Sequence, residues 1–344
     1  MADTRAKVDA ESVNLLAALC KVPDLHSCGY QRALSPLLQD LGCLEHDGVF
    51  IESLGQSVRG TVSMVVADNL ASHSLAGFVQ SLRAGYVCRF CKATQEEIQS
   101  SAVGDGEFTP RTKASRDHDL QDVLQGDGHS QFGVQRDCVL RESLQCFHTI
   151  TGFPPDVVHD LFEGIVPVEL ALCIQEMIKL KYFTLEYLKK KIVTFPYQHA
   201  DKTDKPHPIP KTLQERRPLV AMEVVEVVLS PKFDEDSIQY LQTKIQDHRQ
   251  MLQEVFPEFR LFPKHHYLEH YPDLIRCFGP LVHLWTMRFE EHKSWYIEHL
   301  RSYELSPGNM TVHSLSELND ILPLYAYRVE GKVLLTPKRF ILLH

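Results

Sequence analysis

The chain predicts an α/β fold, and three observations lead there. Two β-rich segments, 48–51 and 60–67, lie close together around a Gly-containing turn. The second, Gly60-Thr61-Val62-Ser63-Met64-Val65-Val66-Ala67, is apolar enough to be mostly buried, as the inner strands of a covered sheet are. It ends on Asp68-Asn69, after which Leu75, Phe78, Val79 and Leu82 share the face of a helix. An acid at the end of a buried strand, next to a helix start, is where open α/β sheets place their ligands.

The remaining elements follow from periodicity and punctuation. Apolar residues recur at helical spacing over 8–20 (Val13, Leu15, Leu16, Leu19) and 30–43 (Leu34, Leu37, Leu38, Leu41), predicting two short helices joined through Pro23 to Gly29. From 85 to 155 the pattern fades. Gly, Asp, Ser and Gln dominate 104–133, and the Arg111-Thr112-Lys113 step leads into no useful apolar stripe, so loops around a small metal-nucleated module are expected. Helical pattern returns at Pro155, should kink or break near Pro167, and runs on to about Lys181. A polar loop with three prolines occupies 201–210. Helices are then expected at 219–229, at 235–255 with Asp234 or Asp236 as cap, at 264–277 and at 283–302. Short strands at 324–329 and 332–335 follow, with no internal repeat or low-complexity tract.

Bulk properties narrow the function classes. With 344 residues, 44% hydrophobic and 24% charged, the chain can bury a real core as one large domain with an insertion or as two domains. A net charge of −9 gives no sequence-wide phosphate-tracking surface, so any DNA-binding face must be a local patch such as the Lys189-Lys190-Lys191 step. Nine cysteines, an odd number without a signal peptide, point to a reducing compartment where thiols stay free or bind metal. The polar opening and the short, charge-broken apolar runs predict neither export nor a membrane span. No Gly-rich phosphate loop is present, so no nucleotide cofactor is expected. A hydrolase built on Asp68 and His73 would lack both a nucleophile and an oxyanion-type Gly motif.

The chemistry-bearing residues form a metal pattern. Cys88 and Cys91 make a CxxC flanked by Tyr86, Arg89, Phe90 and Lys92, and the loop-rich segment around them needs something to hold it. Far downstream, Lys264-His265-His266-Tyr267-Leu268-Glu269-His270 supplies histidines. Residues four apart stack on one helix face, which selects His266 with His270, whereas His265 and His270 converge only near a helix end or irregular turn. Two cysteines and two histidines can close a tetrahedral, structural zinc site. His148 and His159 are spare candidates, the latter reading better as a packed core histidine. Asp68 and Glu290, outside this set, are carboxylates of the type that holds a harder cation for two-metal phosphoryl transfer.

Taken together these blocks resemble the catalytic region of eukaryotic DDE/D transposases of the CACTA/EnSpm-related group, distant relatives of the V(D)J recombinase core. The matching blocks are Val65-Val66-Ala67-Asp68-Asn69-Leu70 with Ser72 to Phe78, Cys88-Arg89-Phe90-Cys91, Gly152 to Asp156, Gly164, Pro263 to His266 with His270, and Trp285 to Glu290. The resemblance runs from about residue 10 to 300. It implies an RNase H-like α/β core interrupted by a mainly helical, zinc-containing insertion. The divisions would be a partial core over 1–84, the insertion over 85–262, the histidine cluster and final core helix over 263–302, and a short β-rich segment over 303–344. It implies Asp68 as second and Glu290 as third catalytic acid, and Cys88, Cys91, His265 and His270 as zinc ligands with His266 as the alternative. It also implies DNA as partner, homo-oligomers and a nuclear location, or a cytoplasmic one for a mere remnant.

The departures decide the expected activity. In such enzymes a first aspartate on the opening core strand precedes the second acid by a longer stretch than the chain has before Asp68. Asp40 sits on an expected helix and Asp47 opens a hairpin, so neither replaces it. The sequence is therefore expected to be an N-terminally truncated, transposase-derived protein without nuclease or strand-transfer activity. Mg²⁺ or Mn²⁺ would enter only if catalysis were retained.

Overall fold

Leu34, Leu37, Leu38 and Leu41 do lie on a helix, and their burial organises the amino-terminal part of the fold. The computed structural model describes residues 22–80, 85–126, 132–196 and 222–286 together with the strand residues 328–329 and 332–333. The expected helix at 8–20, all of the expected helix 283–302 beyond residue 286, the loop at 201–210 and Glu290 lie outside the described residues. The described residues belong to two compact units, one within 1–97, 108–156 and 284–344 and the other within 98–107 and 157–283.

In the first unit α1 (Val22–Ala33) takes in Pro23 and bends at Gly29, where φ is 78°. Helix α2 (Ser35–His46) carries Pro36 in its first turn, where the missing N–H costs nothing. Strand β1 (Val49–Ile51) pairs antiparallel with β2 (Gln56–Val58), and this hairpin is largely exposed. The buried strand expected over 60–67 is not a strand. Val65, Val66 and Ala67 are buried, yet the segment is an extended connection whose Val65 N–H bonds to the Gly152 carbonyl at 2.7 Å. An apolar run of this length is equally content to be covered by helices, and here helices cover it.

Helix α3 (Asn69–Ala76) is shorter than its apolar spacing predicts. Gly77, at φ 79°, ends it in the left-handed conformation, and a Cβ there would collide with the Arg136 carbonyl. Helix α4 (Glu97–Ser100) is a single turn, and α5 (Lys113–Gln125) occupies ground the sequence assigned to loops. Thr112 and Ser115 exchange hydrogen bonds at its start, and its inner face is Arg116, Asp119, Leu120 and Val123. The short helices α6 (Val139–Ser143) and α7 (Thr149–Gly152) complete a core in which Leu75, Leu120, Leu140 and Phe153 are each at most 2% exposed.

In the second unit the helix after Pro155 does not break at Pro167. A wide-turned π-helical stretch (Val158–Ile165) passes directly into α8 (Val166–Lys179), with Pro167 in the first turn. Helix α9 (Leu185–Thr194) buries no side chain. Helix α10 (Met222–Val228) packs on α11 (Glu235–Val255), which starts where the sequence places it: Asp234 Oδ1 accepts the Ser237 N–H at 2.9 Å. The expected helix 264–277 is two, α12 (Pro263–Glu269) and α13 (Tyr271–Phe278), both against α11. Pro272 explains the division, since it cannot donate to the Leu268 carbonyl and its ring crowds it. Strands β3 (Arg328–Val329) and β4 (Lys332–Val333), which belong to the first unit, form a second small antiparallel pair.

The fold is thus mostly helical, and the α/β class expected from the sequence gives way to helices with two-stranded hairpins. Among the described residues no parallel sheet forms around Asp68.

Candidate metal centre

The CxxC lies on a turn whose stem is short. Tyr86 bridges Thr94, the Gln95 N–H reaches the Gly85 carbonyl at 2.8 Å, and Cys91 bridges Pro110. Within the turn, the Phe90 N–H donates to Cys88 Sγ at 3.3 Å and the Ala93 N–H to Cys91 Sγ at 3.4 Å. Backbone N–H groups aimed at sulfur favour thiolates, the form that binds metal. The pair left to itself resists ionising twice. Its hydrogen bond with Cys88, its burial and the charge of Cys88 push the Cys91 thiol far above the ordinary range, with the Ala93 N–H and Arg111 pulling weakly the other way. A divalent cation reverses that balance, because it makes both thiolates favourable at once.

His266 sits in α12 and His270 at the junction with α13. Their rings meet edge to face with centroids 4.8 Å apart, and the two Nε2 atoms are 3.2 Å apart. Zinc–nitrogen bonds of about 2.0 Å give a tetrahedral N···N edge of about 3.3 Å, so the imidazole pair already has the required bite.

Cys88 and Cys91 are buried in the first unit, and His266 and His270 are buried in the second. The donor set, two soft thiolates and two imidazoles, suits zinc and no hard cation. The cysteines are 2% and 0% exposed and the histidines 0% and 6%, so each pair is withdrawn from solvent as the ligands of a structural zinc site are.

His265, the ligand implied by the family resemblance, points elsewhere. It is buried, its Nδ1 accepts the Phe262 N–H at 3.3 Å, and its Nε2 lies 3.5 Å from Glu169 Oε1. The i, i+4 spacing that favours His266 prevails because α12 is regular up to His270. Glu169, fully buried on α8, also meets His248 Nε2 at 2.7 Å. Burial works to raise its carboxyl, but the two imidazoles outweigh it and hold the group at about 2. The spare histidines are also engaged: His148 Nδ1 caps α7 at the Ile150 N–H, and His159 faces Glu163 at 3.6 Å, half-buried rather than packed in the core.

Asp68 is the N-cap of α3, its Oδ1 accepting the Ala71 N–H at 2.7 Å. His73 is a core histidine, with Nδ1 3.1 Å from the Val79 carbonyl; burial and then Arg89 lower it to about 4. The sequence reading named Lys92 and Arg111 but missed that they gather with Asp119 beneath the cysteine turn, and it missed Glu169. Only a buried arginine two residues from the start of an unrecognised helix could have signalled the first group, and neither trait is visible without contacts.

No family model, no curated protein and no solved structure matches the chain.

Proposed function

We propose that this protein is a zinc-stabilised binding scaffold of transposase descent that does not cut DNA. One observation carries the reading: a buried CxxC turn and a buried, edge-to-face histidine pair, Cys88 with Cys91 and His266 with His270, whose donor types together suit one structural zinc. In such a site the ion supplies folding free energy and no catalysis. The descent rests on the sequence blocks around Asp68, the CxxC, the histidine cluster and Trp285 to Glu290. The lack of cleavage is supported by Asp68, whose carboxylate serves α3 as a cap rather than standing at the end of a sheet strand. Two-metal phosphoryl transfer needs several carboxylates converging on a cation pair. A net charge of −9 favours a protein partner over broad contact with nucleic acid.

The test is metal content on purified protein, wild type against Cys88→Ser/Cys91→Ser, beside a supercoiled-DNA nicking assay with Mg²⁺ or Mn²⁺. One zinc per chain, lost in the double variant, with no nicking, is the expected result. Absence of zinc in a folded wild type would overturn the scaffold. Nicking that disappears in Asp68→Ala would overturn the claim that the protein does not cut.

A further inference from the structure

Beneath the cysteine turn lies a charged group that the zinc reading does not use. Arg111 is 4% exposed, and most of its donors go to the backbone of the turn rather than to a carboxylate. Its Nε reaches the Cys91 carbonyl at 2.9 Å and the Cys88 carbonyl at 3.3 Å. Nη2 reaches the Cys88 carbonyl again at 3.3 Å and makes a short hydrogen bond to the Phe132 carbonyl. The Arg111 backbone N–H donates to the Phe90 carbonyl at 2.8 Å. One residue therefore holds three of the four carbonyls between Cys88 and Cys91. Nη1 faces Asp119 Oδ2 at 3.4 Å, and Asp119, 1% exposed, is held in turn by Lys92 Nζ at 2.7 Å.

We propose that Arg111 is the positioning residue of the metal centre: its guanidinium fixes the carbonyls of Cys88 and Cys91 so that the turn presents both sulfurs for metal before the ion arrives. The inference rests on the zinc reading and deepens it. An arginine buried only to pair with Asp119 would need one edge of its fork; here the rest of the planar donor set matches the curved backbone of the turn. With those carbonyls drawn to the guanidinium, the Phe90 and Ala93 N–H groups are left facing the sulfurs. The guanidinium also sets a permanent positive charge beside two groups that must bind metal as anions. Asp119 holds Arg111 in register, and Lys92 offsets the second half of the Asp119 carboxylate. Outer partners of this kind are worth about 10–100-fold in metal affinity.

The experiment is Zn²⁺ competition against a chromophoric chelator, with Co²⁺-substituted absorption spectra, on the full chain. Wild type is compared with Arg111→Met, Arg111→Lys, Asp119→Asn and Cys88→Ser/Cys91→Ser. Arg111→Met should bind zinc about 10–100-fold more weakly and shift the thiolate-to-cobalt band. Arg111→Lys should recover part of the affinity, and Asp119→Asn should weaken it in the same direction by less. A purely structural arginine would lower unfolding midpoints while leaving the zinc affinity and cobalt spectrum at wild-type values, and that result overturns the proposal. If Arg111→Met does not fold, wild-type affinity in both Arg111→Lys and Asp119→Asn overturns it equally. A wild type that binds neither zinc nor cobalt sinks the zinc reading and the positioning role together; wild-type binding with unaffected variants sinks the positioning role alone.

Discussion

Asp68 and Glu169 show how one carboxylate is read differently in sequence and in space. At Asp68 the carboxylate satisfies one of the orphan N–H groups of α3. Asp68→Ala should cost about 1 kcal/mol in urea unfolding, while Asp68→Ser and Asp68→Asn should keep most of that stability. Equal losses in all three variants would argue against the cap. Glu169 was invisible as a candidate because its partners, His248 and His265, lie far along the chain. Its folded value of about 2 lies below the ordinary 4.5, so its contribution to stability is complete above about pH 4.5 and is lost as pH falls toward 2. Glu169→Gln should therefore be less stable than wild type at pH 7, with the gap narrowing between pH 4.5 and 3. Urea midpoints at those three pH values check this, and a gap that stays constant would dismiss the ionised pair.

Element boundaries were legible where local chemistry sets them. Helix α11 begins at its Asp234 cap because that side chain bonds within its own first turn, a signal no distant contact alters. Helix α3 was read too long, since Phe78 and Val79 continue its apolar spacing while the stop is a conformational matter at Gly77. Gly77→Ala should destabilise the fold by more than about 1 kcal/mol, because an L-residue is strained at this φ and its Cβ meets the Arg136 carbonyl. A thermal midpoint equal to wild type would contradict that. Helix α5 was missed for the opposite reason. Its inner face carries Arg116 and Asp119 beside Leu120 and Val123, and Arg116 is buried because Asp137 pairs with it at 2.7 Å. Hydrophobic periodicity cannot register a helix face whose charges are neutralised by partners elsewhere.

For the molecule as a whole, the expectation is a protein whose stability depends on its metal. Prolonged chelation should lower the thermal midpoint of wild type and leave Cys88→Ser/Cys91→Ser unchanged, with zinc alone restoring the former. Differential scanning calorimetry with and without chelator measures it, and an unchanged wild-type midpoint would mean that zinc contributes nothing to the fold. The sequence by itself determined the cysteine pair and the capped helix α11, which follow from spacing within one turn or one helix; helical spacing favoured His266 with His270, while the resemblance implied His265. The tertiary structure alone decided that the apolar run 60–67 is covered by helices instead of pairing in a sheet. It also decided that His265 turns to Glu169, and that Arg111 holds the cysteine turn. The physical reason is common to all three. Burying an apolar run, or partnering a charge, is favourable with any suitable neighbour, and which neighbour is available is settled only when segments distant in sequence are packed together.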